Sequence, residues 1–198
     1  MIDISRALIA ATLLSLVLAS AAPQSSANQG RHQANTATVH ATRNHSPATN
    51  AVDDFITITS GKIQITAPRG WKTAENLNDS ADFQAVDTAN GLYLIVLTDN
   101  KVDYVDMTLE KHSMETLAVL IKPLTSIIKS GPIRFKINGN PAVQYEVRGT
   151  IQGLNVVYLH TTVETSAHYQ QIVTWQLVSS FESKKQLMQG IISSFREI

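Results

Sequence analysis

Across the 198 residues, the side chains able to do chemistry are few and widely spaced. His112, His160 and His168 could move a proton or bind a metal through neutral imidazole. His160 and His168 would approach each other only across a hairpin, and two histidines without a placed third ligand do not make a site. The plainer reading is ordinary surface or strand-end histidines. Asp99, Asp103 and Asp106 are weak candidates for a hard cation such as calcium, which takes carboxylate oxygens. Lys101 and Tyr104 stand where an EF-hand loop needs an oxygen or a tight turn. The plainer reading is acidic charge favourable at the start of the helix that follows. No catalytic, cofactor-binding or metal residue is assigned.

Other signatures fall short in the same way. Ser126-Ile127-Ile128-Lys129 matches S-x-x-K but lacks its S-D-N and K-T-G companions, and periodicity places it at the end of an apolar helix. G-x-S-x-G, a P-loop and G-x-G-x-x-G are all missing. The chain has no cysteine, which excludes disulfides, thiolate zinc sites and a cysteine nucleophile. Lys plus Arg and Asp plus Glu balance at 16 each, and from Val52 onward 13 basic face 15 acidic side chains. That is no electrostatic footprint for nucleic acid or anionic lipid. A non-catalytic chain is expected.

The elements that would position these residues begin after an export signal. Arg6 precedes Ala7 to Ala22, 16 uncharged residues with a small-residue ending. This has the pattern of a secretory signal peptide over residues 1–22, cut after Ala21 or Ala22. It is short of the roughly 20 residues of a membrane span, although Asp3 cancels Arg6 and leaves an uncleaved anchor as the other reading. Cleavage would leave no integral span and an extracytoplasmic, periplasmic or secreted protein. Residues 23–51 are Ser, Thr, Asn, Gln, Ala and His with Val39 as the single large apolar residue. Such a segment buries too little to offset its ordering entropy and reads as a disordered polar linker. His32, His40 and His45 lie in it without preorganisation, and Asn44-His45-Ser46 and Asn78-Asp79-Ser80 match the glycosylation sequon.

Residues 52–198 read as one domain. Phe55 to Ile58 and Lys62 to Ile65 are strand-like around Ser60-Gly61, and Trp71 is a core plug. Phe83 to Val86 and Leu92 to Leu97 flank Asn90-Gly91, a hairpin signal because both residues tolerate positive φ. Leu92 to Leu97 is apolar on both faces and therefore central. Leu109, Leu117, Leu120, Ile121, Leu124, Ile127 and Ile128 recur at helical spacing, which predicts a helical block from Thr108 to Ser130 with a break near Lys122 before Pro123. Phe135 to Ile137, Ala142 to Val147, Asn155 to Val163 and Tyr169 to Val178 alternate as strands, with corners at Ile137 to Pro141 and Gly149 to Gly153. A final helix carries Leu187, Met188, Ile191, Ile192 and Phe195 on one face, with Ser183 and Gln186 in capping-box positions.

Three short motifs in this order carry a resemblance: Pro68-x-Gly70-Trp71, Ile137-Asn138-Gly139-x-Pro141-Ala142, and Ile191-x-x-Ser194-Phe195. From Val52 to Ile198 the chain resembles the PsbP-like superfamily, which includes the photosystem II extrinsic protein PsbP, a Ran-binding nuclear import factor and DcrB-type exported bacterial proteins. The resemblance implies an α+β domain, an α/β/α sandwich around a central antiparallel sheet, acting by binding another protein. No lipobox cysteine is present for a DcrB-type anchor, and no residue matches the metal-contacting or photosystem-docking positions of the plant protein. The readings that follow are an envelope or secreted protein-interaction or assembly factor, a carrier of a small apolar ligand or lipid, and a photosystem II-associated lumenal protein. For the carrier, the Ala118 to Ile128 face would wall the ligand site. An enclosed apolar cavity above about 300 Å³ marks a carrier, and a filled core beside an exposed apolar patch marks an interaction module.

Overall fold

The computed structural model describes residues 54–198. The expected signal peptide, the expected polar linker with His32, His40 and His45, the sequon match at Asn44 and the expected start of the domain at Val52 lie outside the described residues. In chain order come β1 (Phe55–Ser60), β2 (Ile63–Pro68), β3 (Lys72–Thr73), β4 (Phe83–Asp87) and β5 (Leu92–Asn100). A single 3-10 turn (Lys101–Asp103) and α1 (Leu109–Leu120) follow. The rest is β6 (Thr125–Ile137), β7 (Asn140–Ile151), β8 (Leu154–Glu164), β9 (His168–Leu177), α2 (Val178–Ser193) and β10 (Arg196–Glu197).

Seven strands form one sheet in the order β3-β4-β5-β9-β8-β7-β6, antiparallel at every paired step. Its covering layers follow from strand alternation, since successive side chains point to opposite faces. Leu92, Leu94 and Val96 of β5 pack with α2 residues Phe181, Met188, Ile191 and Ile192. Tyr93, Ile95 and Leu97 pack with Leu117 and Leu120 of α1 on the other side. The apolar run Leu92 to Leu97 of β5 is thus buried on both faces, as its sequence predicts. A small sheet, β1-β2-β10, lies on the α2 side and contributes Ile58, Ile63, Ile65 and Ala67 to that core, where Trp71 is also buried. The result is an α+β sandwich with helices on both faces of an antiparallel sheet.

The block expected to be helical from Thr108 to Ser130 is only half helix. Thr108 caps α1, its side chain accepting from the Lys111 N–H at 3.2 Å, and Glu110 sits in the first turn where the dipole favours it. The helix stops before Pro123, but it does not resume. From Thr125 the chain becomes β6, paired with β7 from Thr125↔Thr150 to Ile137↔Asn140. Ile127 and Ile128 fit a helical stripe in isolation, and short apolar runs are ambiguous between the two periods. The β-branched Thr125, Ile127, Ile128 and Ile133 and the long complementary strand beside them decide the outcome. The S-x-x-K match therefore sits on a strand, and the proposed Ala118 to Ile128 wall does not form as one helical face.

Three smaller expectations change. The β4–β5 loop spans four residues, 88–91, of which Gly91 has positive φ at +61°, and Asn90 donates to the Asp87 carboxylate instead of forming a two-residue turn. The β7–β8 corner is narrower than Gly149 to Gly153, because Gly149 stays in the strand and Gln152 (φ +47°) and Gly153 (φ +82°) make the reversal. Helix α2 starts directly from β9 at Val178, so Ser183 and Gln186 lie inside it; Ser183 Oγ donates to the Ser180 carbonyl and caps nothing. The Asn138-Gly139 corner is as expected, with φ of +49° and +85°.

Candidate functional site

The most concentrated chemistry in the described residues lies between α1 and the sheet. Asp99, near the end of β5, is 7% exposed. Its Oδ2 accepts from Gln171 Nε2 of β9 at 2.7 Å and meets His112 Nε2 of α1 at 3.1 Å, while its Oδ1 accepts from the Tyr104 hydroxyl at 3.1 Å. Burial alone would raise this carboxyl's pKa. The bonds from His112, Gln171 and Tyr104, with the His112 charge, outweigh it and hold the pKa below the ordinary value. The His112 ring stacks on Tyr169 at 4.5 Å between centroids, and the Tyr169 hydroxyl donates to the Met107 carbonyl at 2.7 Å.

A second buried imidazole lies beside the first. His160 of β8 is 0% exposed, and its Nε2 is 3.2 Å from Thr116 Oγ1. Thr116 donates its one hydroxyl proton to the His112 carbonyl at 2.9 Å, which assigns His160 Nε2 as the donor in the shared contact. Burial, reinforced by the His112 imidazole, pushes the His160 pKa down to about 3. His160 is therefore a neutral, interior histidine.

These placements correct the reading of the histidines. His112 and His160 belong to the core instead of the surface. His160 and His168 do not meet: His160 pairs with Val173 and faces α1, whereas His168 points to the other side and pairs with Glu197 of β10. The signal was available in the spacing, since His112 falls on the stripe Leu109, His112, Ser113, Leu117, Leu120 that α1 buries. His160 likewise shares a face with Val156 and Tyr158.

The three aspartates are not brought together. Asp99 is committed to the buried cluster, and Asp103 and Asp106 are exposed on the connection to α1. Among the described residues no group of three His, Asp or Glu side chains converges as a metal site. The Asp99–His112 pair has the acid-orients-imidazole form used in hydrolases. Here the imidazole has no approach from solvent, and His112 Nδ1 has no partner. What the arrangement does is fasten α1 to β5 and β9.

The surface offers a different feature. β6 is the outermost strand of the large sheet and is exposed along its whole length except Phe135, half-buried, and Ile137, buried. Ile128 is 64% exposed and Ile133 59%. Ile128 and Ile133 lie opposite Arg148 and Gln144, on the α2 side, while Lys129 and Arg134 lie opposite Val147 and Val143, on the α1 side. An open groove of about 200 Å³ separates the strand from α2, lined by Ile133, Phe135, Gln144, Gln189, Ile192 and Ser193. Two larger open clefts, of about 600 Å³ at Asn138, Thr165 and Arg196 and about 380 Å³ at Ser60, Glu75 and Asp82, have mainly polar walls. None of the three is an enclosed apolar cavity.

No protein-family model matches the chain, and no curated protein matches it in sequence. Its fold is shared with solved structures. The cyanobacterial PsbP of Synechocystis sp. PCC 6803 superposes with a TM-score of 0.58 at 11% identity, over 78% of this chain and 98% of that one. LpqN of Mycobacterium tuberculosis, described as involved in cell envelope biogenesis, superposes with a TM-score of 0.50 at 14% identity, over 76% and 98%. These likenesses establish the PsbP-like fold anticipated from the three motifs.

Proposed function

We propose that this chain is an exported, non-catalytic protein-interaction or assembly module, and that β6 is part of its contact surface. The observation that carries the reading is the contrast between the two sides of the edge. Both faces of the sheet are filled by packed apolar side chains, while the outer strand leaves Ile128 and Ile133 in solvent. Exposed apolar residues clustered on an otherwise charged surface mark contact sites. The N-terminal signal pattern supports export, and no described helix is long and apolar enough to cross a membrane. At 11% identity the likeness to cyanobacterial PsbP brings the scaffold and leaves a photosynthetic role without support of its own. The clefts favour the module over a lipid carrier.

Site-specific photo-crosslinking in the producing cell tests the surface. A photoreactive residue at Ile128 or Ile133 is expected to give discrete protein adducts, while one at Val102, which is more exposed at 90%, gives none. The intact mass of the mature protein is expected to begin after Ala21 or Ala22. A lipid co-purifying in native mass spectrometry, with no β6 adduct, would replace this reading with the carrier.

A further inference from the structure

We infer that β6 accepts an extended partner segment as an added strand, and that the segment carries carboxylates at alternate positions with aliphatic residues between them. This rests on the module reading and deepens it. The stretch Ile133–Ile137 runs in unbroken register with Asn140–Gln144, beyond the irregularity between Ser130 and Ile133, and among the described residues no strand pairs with its outer edge. An edge strand presents main-chain donors and acceptors to an incoming strand, and pockets at every second residue supply selectivity.

The two faces of this stretch specify different side chains. Arg134 and Lys136 point to the α1 side, in line with Lys129 further along the strand. Ile133 and Phe135 point to the α2 side and open onto the groove with Ile192. A strand laid against the edge places its own residues on the same two faces. Carboxylates would then meet Arg134 and Lys136, and aliphatic side chains would enter the groove. Arg134 is engaged by Glu110 at 3.1 Å, but both side chains are largely exposed, so this ion pair is easily exchanged.

The same charges argue against other occupants. Antiparallel pairing of two copies through β6 would set cation against cation, and like charges directly opposite are destabilising. The preceding polar segment, residues 23–51, contains Arg31, Arg43 and no Asp or Glu, so it supplies no matching carboxylates. Nucleic acid would be drawn to a basic face, yet the domain as a whole is slightly acidic.

The test uses the full chain and a peptide in which glutamate alternates with valine, beside its lysine–valine counterpart. The glutamate peptide is expected to bind, to slow amide exchange within Thr125–Ile137, and to lose about tenfold in affinity in the double variant Arg134→Glu, Lys136→Glu. That variant should instead gain affinity for the lysine peptide. Both replaced residues are exposed, and an unchanged circular dichroism melt shows that the fold is kept. The inference is overturned if neither peptide protects β6, if charge reversal leaves the preference unchanged, or if the chain self-associates through this edge. Adducts from Ile128 or Ile133 in the cell, together with any of these results, would leave the module standing and remove only the strand-addition geometry.

Discussion

His160 shows how a single buried group sets a property of the whole. Its Nδ1 has no hydrogen-bond partner, its Nε2 donates to Thr116, and burial with the nearby His112 pushes its pKa from an ordinary 6.5 to about 3. Between those values the unfolded chain takes up a proton that the folded chain refuses, so stability falls as pH drops through that window. From pH 6.5 to 5 the loss is about 2 kcal/mol. Asp99 acts lower down: its depressed pKa adds stability above the unfolded value near 3.8, which is lost as pH falls through the folded value. Urea denaturation across pH 5 to 7 is therefore expected to show a slope that His160→Gln removes, since Gln keeps a donor toward Thr116. An unchanged slope would mean that His160 is not its source. None of this was legible as chemistry from residue types alone. His112 and His160 read as surface groups because histidine usually is one, and only their position on the stripes of α1 and β8 betrayed them.

At the level of elements, the sequence disclosed most of the strands, the two helices and the corners, and failed where a local pattern had two solutions. The stretch after Pro123 satisfied a helical period, and what overruled it was β7, a partner that lies farther along the chain. A window of sequence does not contain that information. The irregular part of β6 also depends on contacts that periodicity cannot see. Gly131 has φ +112°, and a Cβ there would sit 2.7 Å from the Gln144 carbonyl oxygen and 3.3 Å from Tyr145 Cα. Gly139 has φ +85°, but nothing lies within 4 Å of its would-be Cβ. The two glycines should separate backbone strain from steric conflict. Gly139→Val is expected to cost about 1–2 kcal/mol by strain alone, and Gly131→Ala about 3 kcal/mol or more because the clash adds to it. Denaturation midpoints measure the totals, and amide exchange should show the second loss concentrated in β6 and β7. Equal costs would mean that β6 shifts away from β7 at little expense.

For the whole molecule, the last five residues hold together parts that the sheet order leaves separate. Ser194 Oγ accepts from the Thr66 N–H at 2.9 Å and lies 3.1 Å from the Thr66 carbonyl. Phe195 is 1% exposed within the α2-side core, and its carbonyl accepts from Asn138 of the β6–β7 corner. Arg196 and Glu197 pair with Gln64 and Ile63, Glu197 also meets His168, and the Ile198 N–H donates to the Lys62 carbonyl at 2.8 Å. Without these links the β1–β2 pair keeps its packed face in the α2-side core and the bond from Ser60 Oγ to the Asp82 carbonyl at 3.2 Å, and a two-stranded hairpin alone is marginally stable. Deleting Ser194 to Ile198 is expected to expose Phe55–Pro68 to rapid amide exchange and to lower stability by about 4 kcal/mol, most of it from Phe195. Phe195→Ala separates the contributions: it should reproduce about 3 kcal/mol of the loss while Arg196 and Glu197 still protect β2. If the truncated chain instead keeps β1 and β2 protected, their packed face and the Ser60 bond to Asp82 are enough to hold the small sheet. The corner at Asn138-Gly139 would then be a turn that merely touches the terminus, and its bond to Phe195 would carry no part of the assembly.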